Sequence, residues 1–189
     1  MLNNYLVKIF QKVFSKTIGL VLLEYYPLLI IRATNLSLIP MLLSLLKHSS
    51  VFRLNTLVEL TATDQPTHRL RFMCNFFLLS IEYNYRLAIN INFDQADFVP
   101  SLSSVFINSS WSEREARDMF GIYFSNNVDL RRLLTDYGFT GFPLRKDFPL
   151  TGFFEVRYED EVQQILYEPV QLSQEFRLFS LNSPWEKKV

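Results

Sequence analysis

Apolar and polar residues alternate most regularly in the middle of the chain. The stretches FRLNTLVELTATD (52–64), HRLRFMCNFFLLSI (68–81) and YRLAININF (85–93) are rich in residues that favour strands. Polar breaks, DQPT and EYN, separate them. Three successive strands joined by short turns predict an antiparallel sheet.

The apolar stretch from Ile18 to Leu46 resembles a membrane span in composition but is interrupted. Glu24, Pro27, Arg32 and Pro40 divide it into pieces that are too short to cross a bilayer. We interpret these pieces as short packed helices. Together with the sheet they predict an α+β fold, a small antiparallel sheet with helices packed on one face.

The segment before this stretch, NYLVKIFQKVFSK, has a basic and an apolar side. Lys8, Lys12 and Lys16 recur every four residues, as in a basic amphipathic helix. Three interpretations stay open: a membrane-surface helix, a targeting peptide, or the first helix of the domain. Because Met1 is present, we expect that no presequence has been cleaved.

The segment SSWSEREARDMFG predicts a helix from about Glu113 to Phe120. Ser112 and Glu115 have the spacing of a capping box, and Gly121 suits the left-handed position that ends a helix. Glu113, Glu115 and Asp118 are the acidic set most suggestive of a cation site or of acid–base chemistry. Arginines accompany them and no His or Cys is near, so we expect neither a catalytic nor a metal-binding residue in this chain.

Glycines and prolines recur after Gly121 and predict a largely irregular extension. One short helix is predicted at DLRRLLTDYG, begun by Asp129 and ended by Gly138. FFEVRYEDEVQQILYEP predicts a hairpin that turns around 159–161. We therefore divide the chain into a helical amino-terminal segment (1–50), an α+β core with its capped helix (51–121) and an extended partner-binding region (122–189).

The extension combines aromatic residues with arginines, a mixture typical of the interior of a large protein–protein interface. An irregular segment that remained in water would be more polar. The alternative is that the extension folds back onto the chain's own sheet. The predicted interface residues are Arg131, Arg132, Arg145, Lys146, Asp147, Phe148, Arg157, Phe176, Arg177 and Trp185.

Composition excludes several functions. The 189 residues carry a net charge of zero, which disfavours nucleic-acid binding. The single cysteine, Cys74, excludes an internal disulfide and a cysteine-ligated iron–sulfur cluster within the chain. The abundance of Phe, Leu, Ile, Asn and Tyr is expected of an A- and T-rich coding sequence, as in organelle genomes.

Several motifs in one order resemble a known family. WSEREARDMFGIYF, DLRRLLTDYGF, PLRKDFPLTG, EVRYEDE, YEPVQLSQEFR and SPWE are similar to the Nuo-C-type, thirty-kilodalton (iron–sulfur protein 3) subunit of respiratory complex I, NADH:ubiquinone oxidoreductase. The resemblance is nearly continuous from Trp111 to Glu186. Upstream, ELTATDQP and LLSIEYNYR look like the family's sheet, and no match is recognisable before about Phe52.

The resemblance implies a non-catalytic structural and assembly subunit that supports electron transfer from NADH to quinone in a proton-translocating enzyme. It implies no cofactor in this chain, with iron–sulfur clusters and FMN in neighbouring subunits. The expected partners are the large subunit that forms the quinone pocket and the adjacent cluster-bearing subunits. The expected location is the matrix side of the mitochondrial inner membrane, with membrane association only through the complex.

The chain departs from the family's usual pattern at a few positions. Arg117 stands where an aromatic residue is common, Asn127 and Val128 replace a frequent His-Pro pair, and Phe142 replaces a frequent His. Any role that needs an imidazole at these positions is therefore in doubt.

Two alternative functions stay open. The first is the corresponding subunit of a membrane-bound hydrogenase or of another quinone-linked dehydrogenase. The second, of a different class, is a membrane-surface or RNA-associated module that uses the basic amino-terminal segment.

Overall fold

Five strands form one sheet in the computed structural model, which describes residues 21–25, 28–179, 183 and 185. The strands are β1 (Val21–Tyr25), β2 (Leu28–Ala33), β3 (Thr56–Asp64), β4 (Phe72–Ser80) and β5 (Tyr85–Phe93), in the order β1-β2-β5-β4-β3. The β2–β5 pair is parallel and the other pairs are antiparallel. The three strands predicted in the middle of the chain are confirmed.

The sheet buries one face through rows of directly opposed apolar residues. Leu60 of β3 lies opposite Phe76 of β4, which lies opposite Ile89 of β5, which in turn lies opposite Ile31 of β2. All four side chains are buried. Because side chains of a strand alternate between faces, this register places the whole period-two apolar set on the same side.

Within the described residues, two helices cover this face. Helix α1 (Ile39–His48) contributes Leu42, Leu43 and Leu46, and α2 (Ser109–Phe120) contributes Ala116 and Phe120, to the same core cluster as the sheet rows. A short 3-10 turn, Leu36–Leu38, precedes α1. The predicted α+β class, with helices on one face of the sheet, is confirmed.

The interpretation of 18–46 as short helices is wrong for its first half. Strands β1 and β2 occupy Val21–Tyr25 and Leu28–Ala33. Within β2 the buried residues Leu29, Ile31 and Ala33 alternate with exposed Arg32, which is the period of a strand. Pairing with β5 places these alternate side chains on one buried face of the sheet, whereas a helix would distribute them around its axis. The basic segment 4–16 lies outside the described residues.

Helix α2 begins earlier than predicted and has a different amino terminus. Its first residue is Ser109, its N-cap is Asn108, and that cap makes no side-chain hydrogen bond. Ser112 and Glu115 therefore lie inside the helix, and the predicted capping box is wrong. Gly121 ends the helix in the left-handed conformation, with φ of 74°, as predicted.

The chain separates into two compact units, one that ends at Phe148 and one that begins at Pro149. In the first unit a short parallel pair, β6 (Val99–Pro100) with β7 (Phe124–Ser125), joins the two ends of the α2 region. In the second unit β8 (Phe154–Glu159) and β9 (Gln164–Pro169) form an antiparallel hairpin. The predicted hairpin is confirmed, and the predicted domain limits at 50 and 121 stay predictions.

Within the described residues, no helix has both the length and the apolar character needed to cross a bilayer.

Two glycines with the same backbone conformation provide a test of packing at the end of α2. Gly121 and Gly138 have φ of 74° and 72°. A Cβ on Gly121 would lie 2.5 Å from Arg145 Nη2 and 2.7 Å from the Phe142 ring, whereas a Cβ on Gly138 would meet nothing within 4 Å. We expect Gly138→Ala to cost about 1 kcal/mol, the strain of a left-handed alanine. Gly121→Ala should cost about 2–4 kcal/mol because Arg145 and Phe142 must also move.

Urea unfolding of the purified full chain measures both changes. Equal losses of unfolding free energy in the two variants would show that Arg145 and Phe142 adjust freely. This result would contradict the packing described at the end of α2.

Candidate functional site

Two carboxylates of helix α2 are buried and bind loops on either side of it. Glu113 is fully buried, and its Oε1 accepts a hydrogen bond from the backbone N–H of Leu102 at 2.7 Å. Its Oε2 accepts from the Ser101 hydroxyl at 2.7 Å and from the Asn127 side-chain amide at 2.6 Å. Glu113 thus connects the segment before α2 with the segment after β7.

Asp118 is the acceptor for three consecutive backbone N–H groups. Leu133, Leu134 and Thr135 donate to its Oδ2 at 3.1, 2.8 and 2.9 Å. Its Oδ1 accepts from the Thr135 hydroxyl at 2.7 Å and from Arg132 Nη1 at 3.3 Å. Five donors therefore converge on one carboxylate that is only 2% exposed.

The predicted helix at 129–138 is wrong, and Asp118 supplies the reason. None of the residues 129–138 is helical. The backbone N–H groups of Leu133, Leu134 and Thr135 point toward the Asp118 side chain of helix α2. Bonds to this carboxylate therefore determine the conformation of the segment, in place of intrahelical hydrogen bonds. Asp129 accepts the N–H of Arg131 in a local turn, at 3.1 Å. A side chain that competes for backbone donors disrupts a helix of marginal length.

The arginines of α2 bind the carbonyl side of the same segment. Arg114 donates to the carbonyl oxygens of Arg131 and Arg132 at 3.0 and 3.3 Å, and Arg117 donates to that of Leu130. Asp118 accepts the donors of 133–135 while Arg114 and Arg117 supply donors to 130–132. The charged face of α2 therefore determines the backbone path of the loop 129–135, which we call the α2-bound loop.

Hydrogen bonds keep Asp118 ionised in spite of its burial. Burial favours the neutral acid, but the bonds donated by Thr135, Leu134 and Leu133 outweigh this and hold its pKa below the ordinary range. A carboxylate that accepts several N–H groups is stabilised in its charged form. The group is therefore a permanent anion at neutral pH.

The acidic set of α2 does not form an open cation site. The oxygens of Glu113 and Asp118 are engaged by protein donors, and Glu115 is exposed. Among the described residues, no three His, Cys, Asp or Glu side chains gather in a group that could hold a metal ion. Cys74 is buried in β4, and burial raises the pKa of its thiol.

A second ionic cluster joins the sheet to the segment 145–147. Asp64, at the end of β3, accepts from Arg71 Nε and Nη2 at 2.7 and 2.9 Å and from the N–H of Lys146 at 2.8 Å. Arg71 also pairs with Asp147 at 3.0 Å. The hydrogen bond from Arg71 holds the pKa of Asp64 below its usual value, although burial opposes it.

Arg145 packs between two aromatic rings. Its guanidinium lies 4.4 Å from the centroid of Phe142 and 5.3 Å from that of Phe72, and its Nε donates to the carbonyl of Phe120 at 2.6 Å. The side chain is half-buried, and no acidic residue lies within ion-pair distance among the described residues. Burial and the nearby Arg71 lower its pKa.

The predicted interface residues fall in both units. In the first unit, Arg131 is 80% exposed and pairs with Asp129, while Arg132 pairs with Asp118. Lys146 and Asp147 are exposed, Phe148 is half-buried and Arg145 is held as described above. In the second unit, Arg157 pairs with Glu159 and Glu168, and Phe176, Arg177 and Trp185 are exposed. Their role at an interface stays a prediction.

The positions that depart from the family pattern take part in these contacts. Asn127 donates to Glu113, Arg117 donates to the α2-bound loop, and the Phe142 ring packs against Arg145 and Arg132. An amide, a guanidinium and an aromatic ring therefore occupy these places without an imidazole.

Residues 33–154 match the protein family described as the 30 Kd subunit of respiratory-chain NADH dehydrogenase. The chain belongs to this family. The match begins at Ala33, so the expectation that nothing before about Phe52 is recognisable is wrong. It includes the sheet from the end of β2 onward, both helices and the α2-bound loop, and it ends at the start of β8.

Curated relatives agree with this membership. NADH-ubiquinone oxidoreductase subunit 9 of Acanthamoeba castellanii is 51% identical over 142 residues, which are 75% of this chain and 72% of the relative. A NADH-quinone oxidoreductase subunit of Parvibaculum lavamentivorans is 48% identical over 144 residues, 76% of this chain and 72% of the relative. The chain is therefore a complex I subunit of the Nuo-C type.

A solved structure shows the same fold. A chain of the membrane-bound sulfane sulfur reductase, an archaeal respiratory membrane complex, superposes with a TM-score of 0.64 at 20% identity. The superposition covers 78% of this chain and 85% of that chain.

The role of Glu113 as a buried, hydrogen-bonded carboxylate was not predicted, although the sequence contains a signal for it. Glu113, Ala116 and Phe120 have the i, i+3, i+7 spacing of one helix face, and the latter two are apolar. An acid in line with a buried stripe indicates a buried, hydrogen-bonded carboxylate. The spacing of Asp118 carries no such signal, because its partners are backbone groups of a later loop.

Replacement of Asp118 by Asn should destabilise the α2-bound loop. The amide has one acceptor oxygen and presents its own N–H groups to donors, so several of the five bonds are lost. We expect Asp118→Asn to cost about 3 kcal/mol in the free energy of unfolding. Glu115→Gln removes an exposed carboxylate from the same helix and should cost under about 0.5 kcal/mol. Hydrogen exchange at the amides of 133–135 localises the effect, and unchanged protection there would contradict the arrangement.

Stability should fall in acid through Asp64. Its folded pKa is lower than its unfolded pKa, so its contribution is complete above the unfolded value of about 3.9 and is lost as the pH falls below it toward the folded pKa. The stability difference between the parent and Asp64→Asn should therefore be constant above about pH 5 and shrink below about pH 4. Urea unfolding across this range measures it, with exposed Glu59→Gln on the same strand as the control. A difference that persists undiminished in acid would contradict the pairing.

Proposed function

We propose that this chain positions neighbouring subunits of NADH:quinone oxidoreductase by binding them through its second unit and the α2-bound loop. As a family member, the chain is a structural subunit of this enzyme. The proposal concerns how it contacts the others. Its main support is the apolar face of the β8–β9 hairpin.

The hairpin has one face made of aliphatic and aromatic side chains without a formal charge. Val156 lies directly opposite Tyr167, and Tyr158 lies opposite Ile165. These four side chains are between 57% and 63% exposed. Phe154 and Pro169 extend the same face at the open end. Apolar surface of this extent, contiguous across two strands, indicates a contact with another protein.

The opposite face of the hairpin is mainly ionic. Arg157 pairs with Glu159 at 2.7 Å and with Glu168 at 2.9 Å. Glu155, Gln164 and one apolar residue, Leu166, belong to the same face by their register. The hairpin therefore has one face adapted to water and one adapted to an apolar surface. A two-stranded ribbon alone is marginally stable in water, so a partner that covers the apolar face would also stabilise the hairpin.

The residues beyond the hairpin have the same character. Phe176, Leu178, Phe179 and Trp185 are between 62% and 89% exposed. Aromatic anchors of this kind dominate the energy of interfaces when a partner desolvates them. We include the ten predicted interface residues in the proposed contact surface: Arg131, Arg132, Arg145, Lys146, Asp147, Phe148, Arg157, Phe176, Arg177 and Trp185.

The proposed partners are the large subunit that forms the quinone pocket and the adjacent cluster-bearing subunits. The proposed location is the peripheral arm on the matrix side of the mitochondrial inner membrane, and the chain is proposed to be organelle-encoded. The iron–sulfur clusters and FMN would be held by neighbours, and this chain would contribute neither a cofactor nor a catalytic residue. Electron transfer depends on constant spacing between cofactors, so a subunit that fixes the positions of others supports the proton-translocating reaction without reacting itself.

The alternative that this chain is a subunit of a hydrogenase or of another quinone-linked dehydrogenase has less support. The relatives that share about half of their aligned residues with it are named as NADH oxidoreductase subunits. A membrane-surface or RNA-associated function would use the basic segment 4–16, which lies outside the described residues.

Charge placed on the apolar hairpin face should weaken assembly. We expect Val156→Lys or Tyr167→Lys to lower the yield of complex that retains this chain at least tenfold, because a lysine would be buried at the interface without a partner. Gln164→Lys is the matched control: it adds the same charge on the ionic face, opposite Glu159, and should assemble normally. The measurement is the amount of this chain per complex after mild solubilisation, determined by quantitative mass spectrometry. If both apolar-face variants are retained in the complex at the parent's level, the proposal is contradicted.

A further inference from the structure

A cavity of about 630 Å³ lies beside the carboxyl end of α2. Three guanidinium groups line it, from Arg117 of the helix and from Arg131 and Arg132 of the α2-bound loop. The lining also includes the aromatic residues Tyr123 and Phe142, together with Leu130 and Gly121. One carboxylate, Asp118, is the only acidic lining residue among those described.

That carboxylate is already engaged and cannot neutralise the whole cluster. Five protein donors converge on Asp118, and only Arg132 among the three arginines reaches it, at 3.3 Å. Arg131 is neutralised by Asp129 at 2.8 Å, and this pairing lowers the pKa of Asp129 to about 2. In the described part of the chain, the positive charge of Arg117 has no ion-pair partner.

Among the described residues, the Arg117 side chain has partners of two kinds, and both are neutral. It donates to the carbonyl of Leu130, and its guanidinium lies 5.8 Å from the centroid of the Tyr123 ring. In the part of the chain that the structure describes, no carboxylate lies within 4.0 Å of it. A half-buried guanidinium with no opposite charge is costly to desolvate further unless an anion arrives with the partner.

Arg145 adds positive potential at the edge of the cavity. Its Nη2 lies against Gly121, and its guanidinium stacks on Phe142, two residues that line the cavity. Like Arg117, it donates to a backbone carbonyl and makes no ion pair with a carboxylate among the described residues. Two guanidinium groups that make no ion pair among the described residues therefore border one opening, and Asp64 and Asp147 partly offset the charge of Arg145 alone.

We propose that this cavity binds the side-chain carboxylate of an Asp or Glu residue of a neighbouring subunit, with Arg117 as its direct partner. The planar guanidinium suits bidentate binding of a carboxylate, and the aromatic walls suit the methylene groups of such a side chain. This inference rests on the proposed function, because the anion is supplied by an assembled partner. It adds a charged anchor to the contact made by the apolar hairpin face.

The test compares three variants of the purified complex. Arg117→Gln removes the charge, and Arg117→Lys keeps the charge but loses the planar fork. Arg114→Gln is the matched control, because Arg114 donates to two carbonyls of the same loop and does not line the cavity. The measurement is the rate at which this chain dissociates from the complex at several NaCl concentrations.

We expect Arg117→Gln to dissociate about tenfold faster at low ionic strength, with an intermediate effect for Arg117→Lys. The difference from the parent should shrink in high salt, because salt screens the ion pair that only the parent possesses. Arg114→Gln should leave the slope with salt unchanged. The proposal is overturned if Arg117→Gln shows the parent's salt dependence.

Chemical modification separates a protein carboxylate from a phosphate source. Phenylglyoxal should modify Arg117 rapidly in the free chain and slowly in the complex. Protection that survives removal of bound lipid supports a carboxylate from a neighbouring protein, and protection that disappears on delipidation, with all subunits retained, assigns the cavity to a lipid phosphate and overturns the proposal. If Val156→Lys disrupts assembly while the Arg117 variants do not, only the cavity assignment fails; if Val156→Lys and Tyr167→Lys both assemble normally, the proposed function fails.

Discussion

The burial of the Asp118 carboxylate under three consecutive backbone N–H groups determines the path of the loop that follows β7. An ionised group without water must be satisfied by protein donors. Leu133, Leu134 and Thr135 meet this requirement only if the chain turns back along the helix. The same turn places the carbonyls of 130–132 against Arg114 and Arg117. The loop is therefore positioned by charge–backbone bonds from a helix, with little apolar burial of its own.

A loop that is bound through its backbone keeps its side chains available for contacts with other molecules. A loop held by apolar packing would bury its side chains, whereas a loop held through its backbone leaves its side chains directed outward. Arg131 is accordingly 80% exposed although its backbone carbonyl is bound by Arg114. The loop thereby holds Arg131 and Arg132 in a fixed geometry, which the proposed contact with a neighbouring subunit of complex I requires.

The two units differ in how much of their apolar surface is buried. The first unit has a continuous core in which the sheet rows meet α1 and α2. The second unit offers a hairpin whose apolar face is exposed and whose ionic face is internally paired. The first unit can supply its own stability, and the second is suited to gain stability on assembly. A protein whose contribution is positional needs both, a stable base and a surface that is completed by its neighbours.

Local patterns in the sequence determined the features that depend on nearby residues. The strands 56–64, 72–80 and 85–93 and the hairpin at 154–169 follow from period-two alternation, and Gly121 follows from its freedom at positive φ. The recurrence of aromatic residues in the extension 122–189 predicted a surface that binds a partner, and this interface stays a prediction. Tertiary structure alone decided the rest. The strands at 21–33 exist because β5 offers a parallel edge to residues distant in sequence, and the segment 129–138 is not a helix because Asp118, more than ten residues earlier, takes its backbone donors. In both cases the deciding partner lies outside the window over which a periodic pattern can be read, so the pattern could not contain the answer.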